Sequence, residues 1–259
     1  MEECLDIGTT TPAIVTGAGS GLGRGTARAL AARGVKVAVL DLNEEAGRAV
    51  ADEIGGVFAR CDVSDPESVR QALATAVAAI GTPRILVNCA GIVAGRKTIS
   101  RGEPHDPALF QKVIAVNLVG SFNMSSQVAQ LMSEGETLNA DGERGLIVST
   151  SSVAAFDGQI GQLAYSASKA AIAGMTLPMA RDLAQTGIRV MTIAPGIFET
   201  PMLAGMPEEV QASLAAAVPF PSRLGTAEEY ARLVIHIAEN AMLNGETIRL
   251  DGAIRMAPK

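Results

Sequence analysis

Short apolar runs that alternate with helical patterns constrain this chain more than any other feature. Runs at 12–16, 35–40, 57–61, 85–87, 146–149, 189–194 and 246–250 are separated by helical patterns at 24–33, 44–54, 67–80, 107–132, 163–185 and 227–239. The runs are continuous and do not alternate apolar with polar, which is the pattern of parallel strands covered on both faces. The expected fold class is therefore α/β: a single, doubly wound parallel sheet of about seven strands with helices on both faces. No repeat, low-complexity segment or linker divides the chain, so residues 1–259 are read as one domain. Ser64 or Asp65 is the expected N-cap of the third helix, with Pro66 at its first position. Pro178 falls inside the 163–185 pattern and predicts a kink or a break. Segments 92–107 and 197–225 read as irregular, and residues 1–11 as a polar, frayed start.

Composition narrows the function classes. A chain of 259 residues buries a sizeable core without disulfides or metal. Net charge is −6, which gives no general attraction to nucleic acid or to an anionic membrane. Cys4, Cys61 and Cys89, with His105 and His236, have no metal-ligand spacing, so no metal site is expected and the histidines are read as structural. The odd cysteine count fits a reducing compartment. No run of 18 apolar residues is present, and Glu2, Glu3 and Asp6 do not make the basic start of a signal peptide. The expected location is cytoplasmic, and the Ala-rich composition points to a bacterial source.

Thr16-Gly-Ala-Gly-Ser-Gly-Leu-Gly23 lies between the first run and the first helical pattern. In that position Gly17 permits a tight turn, Gly21 lets backbone approach a pyrophosphate, and Gly23 lets helix and strand pack closely. Amides at the helix start then face phosphates. Asp41 ends the second run, 20 residues after Gly21. A carboxylate there accepts both adenosine ribose hydroxyls and repels a 2′-phosphate, a like-charge contact costing several kcal/mol. Ser20 and Leu42 offer no cation to that phosphate. The expected cofactor is NAD.

The stretch 145–169 carries a hydroxyl cluster, Ser149 to Ser152, then Tyr165 and Lys169 four residues apart on one helix face. A tyrosine has a pKa of about 10, so work as a base at neutral pH takes roughly 4 kcal/mol of help. A lysine cation and an oxidised nicotinamide are the right kind of help. The step read from these residues is removal of a hydroxyl proton by Tyr165, with the oxygen held by Ser152, as a hydride leaves the carbinol carbon. Neither a Gly-x-Ser-x-Gly elbow nor a Walker A lysine is present.

In combination, Thr16-Gly-x-x-x-Gly-x-Gly23, Asn88-x-Ala-Gly91, Asn117, Ser152, Tyr165-x-x-x-Lys169 and Pro195-Gly196 resemble the short-chain dehydrogenase/reductase superfamily over essentially the whole chain. That resemblance implies a Rossmann-type fold and a tetrad of Asn117, Ser152, Tyr165 and Lys169. Lys169 would also grip the nicotinamide ribose, and Asn117 would open its helix and hold a water in a proton relay. Ser20, Leu22, Asp62, Val63, Cys89, Phe198 and Thr200 fall where the family lines its NAD site, beside Ala90, Gly91 and Pro195 of the motifs. Cys89 would be a backbone contact. Residues 152–162, 174–183, 193–198, 218–225 and 248–256 further resemble the type 2 3-hydroxyacyl-CoA dehydrogenase group, which is NAD-dependent and also oxidises hydroxysteroids. A homotetramer is the assembly the superfamily implies.

Residues 197–225 follow a strand end where open α/β sheets place ligands, and are read as a substrate lid. Met202, Leu203, Met206, Leu214, Val218 and Phe220 make the lid apolar, which suits an acyl chain or a steroid. Gln162 is expected at the pocket wall, so Ser152, Gln162 and Tyr165 are the candidate substrate contacts. Arg96, Lys97 and Arg101 are read as a solvated basic loop. The competing readings are a 3-oxoacyl-carrier-protein reductase, which usually prefers NADPH, and a non-catalytic dinucleotide-binding scaffold, which predicts a broken tetrad.

Overall fold

The computed structural model describes residues 7–200, 203, 205 and 207–258; Glu2, Glu3, Cys4, Asp6, Met202 and Met206 lie outside the described residues. The strands are β1 (Ala13–Thr16), β2 (Val37–Asp41), β3 (Val57–Arg60), β4 (Ile85–Asn88), β5 (Ile99–Ser100), β6 (Glu103–Pro104), β7 (Gly145–Thr150), β8 (Ile188–Pro195) and β9 (Thr247–Leu250). Seven of them form one sheet in the order β3-β2-β1-β4-β7-β8-β9, all parallel. The other two, β5 and β6, form a small antiparallel hairpin inside the segment expected to be irregular.

Each central strand buries both faces, which is why its sequence does not alternate. Ala13 and Val15 of β1 pack on one side with Leu30, Tyr230 and Val234, while Ile14 packs on the other with Val69, Met124 and Val128. The helices are α1 (Gly21–Ala31), α2 (Glu44–Ile54), α3 (Pro66–Ile80), α4 (Pro107–Ile114), α5 (Gly120–Ser133), α6 (Leu163–Asp182), α7 (Glu208–Ala216) and α8 (Ala227–Ala238). Asn43 caps α2, Asp65 caps α3 with Pro66 following, and Thr226 with Glu229 forms a capping box on α8. The order turns back at β1 and β4, so chain leaves their carboxyl ends in opposite directions and a crevice opens there.

Three expectations need correction and a fourth is narrowed. α1 begins at Gly21, not Arg24, because Ser20 is already extended and the last glycines of the turn take up helix. β2 begins at Val37, because the Val35 amide turns back to the Leu30 carbonyl and closes α1 instead. Segment 197–225 is not wholly irregular, since it contains α7. Finally, α6 runs through Pro178 without the break that was one of the two outcomes expected there. Proline removes one amide, but Ile172, Thr176 and Ala180 are buried around it. Thr176 and Thr192 also share a hydroxyl bond of 2.6 Å, so packing against the sheet outweighs the local preference.

Candidate active site

A cleft of about 1010 Å³ lies over the carboxyl ends of the strands. At one end it is lined by the glycine-rich turn. Gly17 has φ +61°, and a Cβ there would sit 2.7 Å from backbone of Ala90, so the turn from β1 and the chain after β4 touch without side chains. Gly23 lies against the Gly17 carbonyl in the same way. Thr16, named in the motif but given no role there, holds the two segments together: its hydroxyl accepts from the Cys89 and Ala90 amides at 3.2 and 3.1 Å. Ser20 makes no side-chain cap bond to α1, unlike the caps of α2, α3 and α8. The first amides of α1 are therefore left to the cleft, where they suit phosphate.

Asp41 lies at the same end. Its carboxylate accepts from the Gly19 amide at 2.8 Å and the Asn43 amide at 2.9 Å. The turn thus fixes the carboxylate's aim, and Asn43 provides the α2 cap, so Asp41 is not spent on that role. Asp62 lines the cleft too, with Oδ1 taken by the Ser64 amide and hydroxyl. Ser20, Gly21, Leu22, Val63, Cys89, Ala90, Gly91, Pro195, Phe198 and Thr200 complete the lining expected from sequence. A dinucleotide fits such a surface: uncapped amides for phosphates, a fixed carboxylate for ribose hydroxyls, and glycines where a Cβ would fill the space.

At the other end Ser152, Gln162, Tyr165 and Lys169 line the cleft. Ser152 precedes a short 3₁₀ turn at Val153–Ala155, whose Ala154 amide it accepts at 3.1 Å. Ser149 instead meets Asn88, and Ser151 donates to the Lys169 carbonyl, so the structure singles out Ser152 from its cluster. Lys169 is buried, donates to the Thr150 carbonyl at 2.7 Å, and stands 5.7 Å from the centre of the Tyr165 ring. Burial lowers its pKa to about 8, which leaves it mostly cationic at pH 7. Burial also raises the Tyr165 phenol above its ordinary value, against the pull of a Ser152 hydrogen bond. A positive charge entering beside the phenol would act against that burial.

Asn117 sits in a π-helical segment, Ala115–Val119, between α4 and α5, so the helix is widened where the resemblance implied an opening. It is fully buried and stands behind the cleft rather than in its lining. Its amide is already engaged: it accepts from the Ile92 amide and donates to the Ile92 carbonyl and to Ser168. Ser168 in turn donates to the Tyr165 carbonyl, so Asn117 reaches Tyr165 through backbone. Ser168 had no sequence signal, since a short polar residue in a helix shows its partner only once folded, and the contact of Thr150 to Lys169 runs through a backbone carbonyl that any residue supplies.

The apolar side chains of segment 197–225 take different positions. Leu203 is buried and lines the cleft, Val218 is buried beside a small neighbouring cavity, and Phe220 is 83% exposed. Met256, far along the chain, lines the cleft and was not foreseen. Arg96 bonds through its amide to Gly161, whereas Lys97 and Arg101 are exposed. His105 packs edge-on to Phe110 and His236 is exposed on α8, both away from the cleft. Among the described residues, no group of acidic, His or Cys side chains could hold a metal, and no helix is long and apolar enough to cross a membrane.

Residues 11–211 match the family model described as short chain dehydrogenase. The chain is 53% identical over 250 residues to 3-hydroxyacyl-CoA dehydrogenase type-2 of Homo sapiens, covering 95% of each. It is 53% identical over 249 residues to the protein of that name in Drosophila melanogaster, covering 95% of this chain and 97% of the relative. Among solved structures, 3-hydroxyacyl-CoA dehydrogenase type-2 from Mycobacterium avium matches with a TM-score of 0.92 at 42% identity, over 96% of this chain and 97% of that one. The half-identical relatives are animal proteins, so the bacterial source read from composition has no support from them.

Proposed function

The chain belongs to the short-chain dehydrogenase family, and from that premise we propose that it moves a hydride between NAD and the 3-hydroxy carbon of a 3-hydroxyacyl-CoA, in either direction. The observation that carries this reading is convergence: the Asp41 turn and the Ser152, Tyr165 and Lys169 side chains line one cleft. The acyl-CoA part draws on the relatives' names and on the apolar Leu203 and Met256 at the substrate end. Hydroxysteroids suit the same apolar surface.

The residues then divide the work as follows. Asp41 takes the adenosine ribose hydroxyls and its charge disfavours a 2′-phosphate. The amides of Gly21 to Gly23 face the pyrophosphate. A bound nicotinamide supplies the hydride acceptor or donor. Ser152 holds the substrate oxygen, and Gln162 closes the wall beside it. Tyr165 takes the proton from that oxygen in oxidation and returns it in reduction. Lys169 stays cationic below pH of about 8 and favours the phenolate at that moment. Asn117 holds the Ile92 backbone and, through Ser168, the turn of α6 that carries Tyr165.

Within this proposal residues 1–259 act as one cofactor-binding domain with 197–225 as its lid. A homotetramer is the proposed assembly, since Val119, Phe122, Leu163 and Leu177 leave large apolar side chains exposed along α5, α6 and the π segment. Cys61 and Cys89 are free thiols, in keeping with a cytoplasmic setting. The test is steady-state kinetics on 3-oxoacyl-CoA and 3-oxoacyl-carrier-protein thioesters with NADH and with NADPH. Turnover of CoA esters with NADH is expected. Turnover confined to carrier-protein thioesters would transfer the reading to the reductase, and tighter binding of NADPH would overturn the role of Asp41.

A further inference from the structure

The segment that follows β9 turns back onto the substrate end of the cleft. Gly252 (φ +57°) and Ala253 (φ +68°) are both left-handed, and a Cβ on Gly252 would sit 2.5 Å from Val218 Cγ1. Asp251 stabilises the turn, accepting from Arg249 Nε at 2.7 Å and from the Ala253 amide at 3.0 Å. Ile254 is buried beyond it, and its carbonyl accepts from Arg249 Nη2 at 3.0 Å.

The same guanidinium donates to Asp157 at 2.6 Å and lies 5.3 Å from the centre of the Phe156 ring. Gln159 Nε2 then donates to the Ala257 carbonyl at 2.9 Å, and the Ile160 amide to the Pro258 carbonyl at 3.0 Å. The segment is thus stitched along 157–160, inside the connection between Ser152 and Tyr165. Gln159 also bonds Gln162 in both directions, at 3.1 and 3.2 Å. Met256 is left facing the cleft with Gln162 and Leu203.

We propose that residues 251–258 form a fixed wall of the acyl end of the cleft. Met256 is the specificity-determining residue for acyl chain length on that wall, and the Arg249–Asp157 pair is the clamp that positions it. This inference rests on the 3-hydroxyacyl-CoA reading above. An unbranched thioether follows the outline of a flexible chain and limits its length by volume. The clamp is partly buried, with 21% and 19% of the two side chains exposed, so one charge removed leaves its partner poorly paired.

The experiment measures kcat and KM with NADH for 3-oxoacyl-CoA esters of four to twelve carbons, in the parent protein and in Met256→Ala, Met256→Phe and Asp157→Asn. Met256→Ala is expected to raise kcat/KM for long esters relative to the four-carbon ester about tenfold, and Met256→Phe to lower that ratio about as much. Asp157→Asn is expected to raise KM for long esters about fivefold, while kcat for the four-carbon ester changes by less than about twofold. A purely structural role of Asp157 would move kcat and KM together at every length. Parent activity with an unchanged length profile in both Met256 variants overturns this inference alone. A parent protein inactive on every ester, yet binding NADH, overturns the acyl-CoA reading and this inference with it.

Discussion

On the cofactor side of the cleft, Thr16, Gly17 and Asp41 stand at the ends of neighbouring strands: the Thr16 hydroxyl and the Asp41 carboxylate accept from backbone amides, and Gly17 lies against the Ala90 backbone. β1 pairs with β2 and with β4 in register, so Thr16 faces Leu40 on one side and Asn88 on the other. On the substrate side, Gln162, Leu203 and Met256 come from three connections outside the sheet. They are held by side-chain bonds such as Arg249–Asp157 and Gln159–Gln162. The first construction tolerates no added atom, because the gaps are backbone-sized. The second tolerates substitution, because flexible side chains absorb it. A cleft made this way keeps one cofactor and lets its substrate range vary.

Tyr165 stands where the two sides meet, and its loss is the largest effect. Tyr165→Phe is expected to lower kcat by about a thousandfold and leave the Kd for NADH unchanged, read by fluorescence titration. Retained turnover would break the mechanism, whereas a parent protein that binds NADH and turns over no substrate would favour the scaffold reading. Gly17→Ala comes next, since it needs φ +61° and its Cβ meets Ala90 backbone. It is expected to cost about 1–3 kcal/mol of stability and to weaken NADH at least about tenfold. Unchanged cofactor binding in a folded Gly17→Ala protein would show the cofactor side to be as yielding as the substrate side.

Acid–base behaviour sharpens the boundary. Lys169 is depressed to about 8, so it is charged below that pH and neutral above it. Reduction needs the charged lysine and a protonated phenol, so kcat/KM for reduction is expected to hold below pH of about 8 and to fall about tenfold per pH unit above it. A flat profile from pH 7 to 10 would remove Lys169 from the step. The smallest effect belongs to the lid. Leu203→Ala is expected to raise KM for acyl-CoA about threefold with the Kd for NADH unchanged. Loss of NADH binding in that variant would erase the distinction between the two sides.

Much of this architecture was legible in the chain. Continuous apolar runs require a sheet covered on both faces, and their alternation with helices requires parallel crossovers. The glycine-rich turn, Asp41, Ser152, Tyr165 and Lys169 were legible because each acts at a fixed spacing within one or two elements. The break allowed for at Pro178 does not occur, since burial of Ile172 and Thr176 and the Thr176–Thr192 bond hold the helix together across it. Met256 was missed for the opposite reason: a methionine well beyond the lid has no local pattern that marks it as cleft-lining.

The sequence by itself determined the fold class, because that follows from short-range periodicity, and it singled out the glycine-rich turn and the Ser152, Tyr165 and Lys169 candidates through the combination of motifs. Only the tertiary structure decided that the Asn117 amide bonds Ile92 and Ser168 behind the cleft. It alone decided that Asp41 accepts from the Gly19 amide, and that residues 257 and 258 bond to Gln159 and Ile160. Those contacts join residues from 22 to about 100 positions apart through single hydrogen bonds. Such bonds leave no periodic trace in a chain and form only when packing has brought both partners out of water.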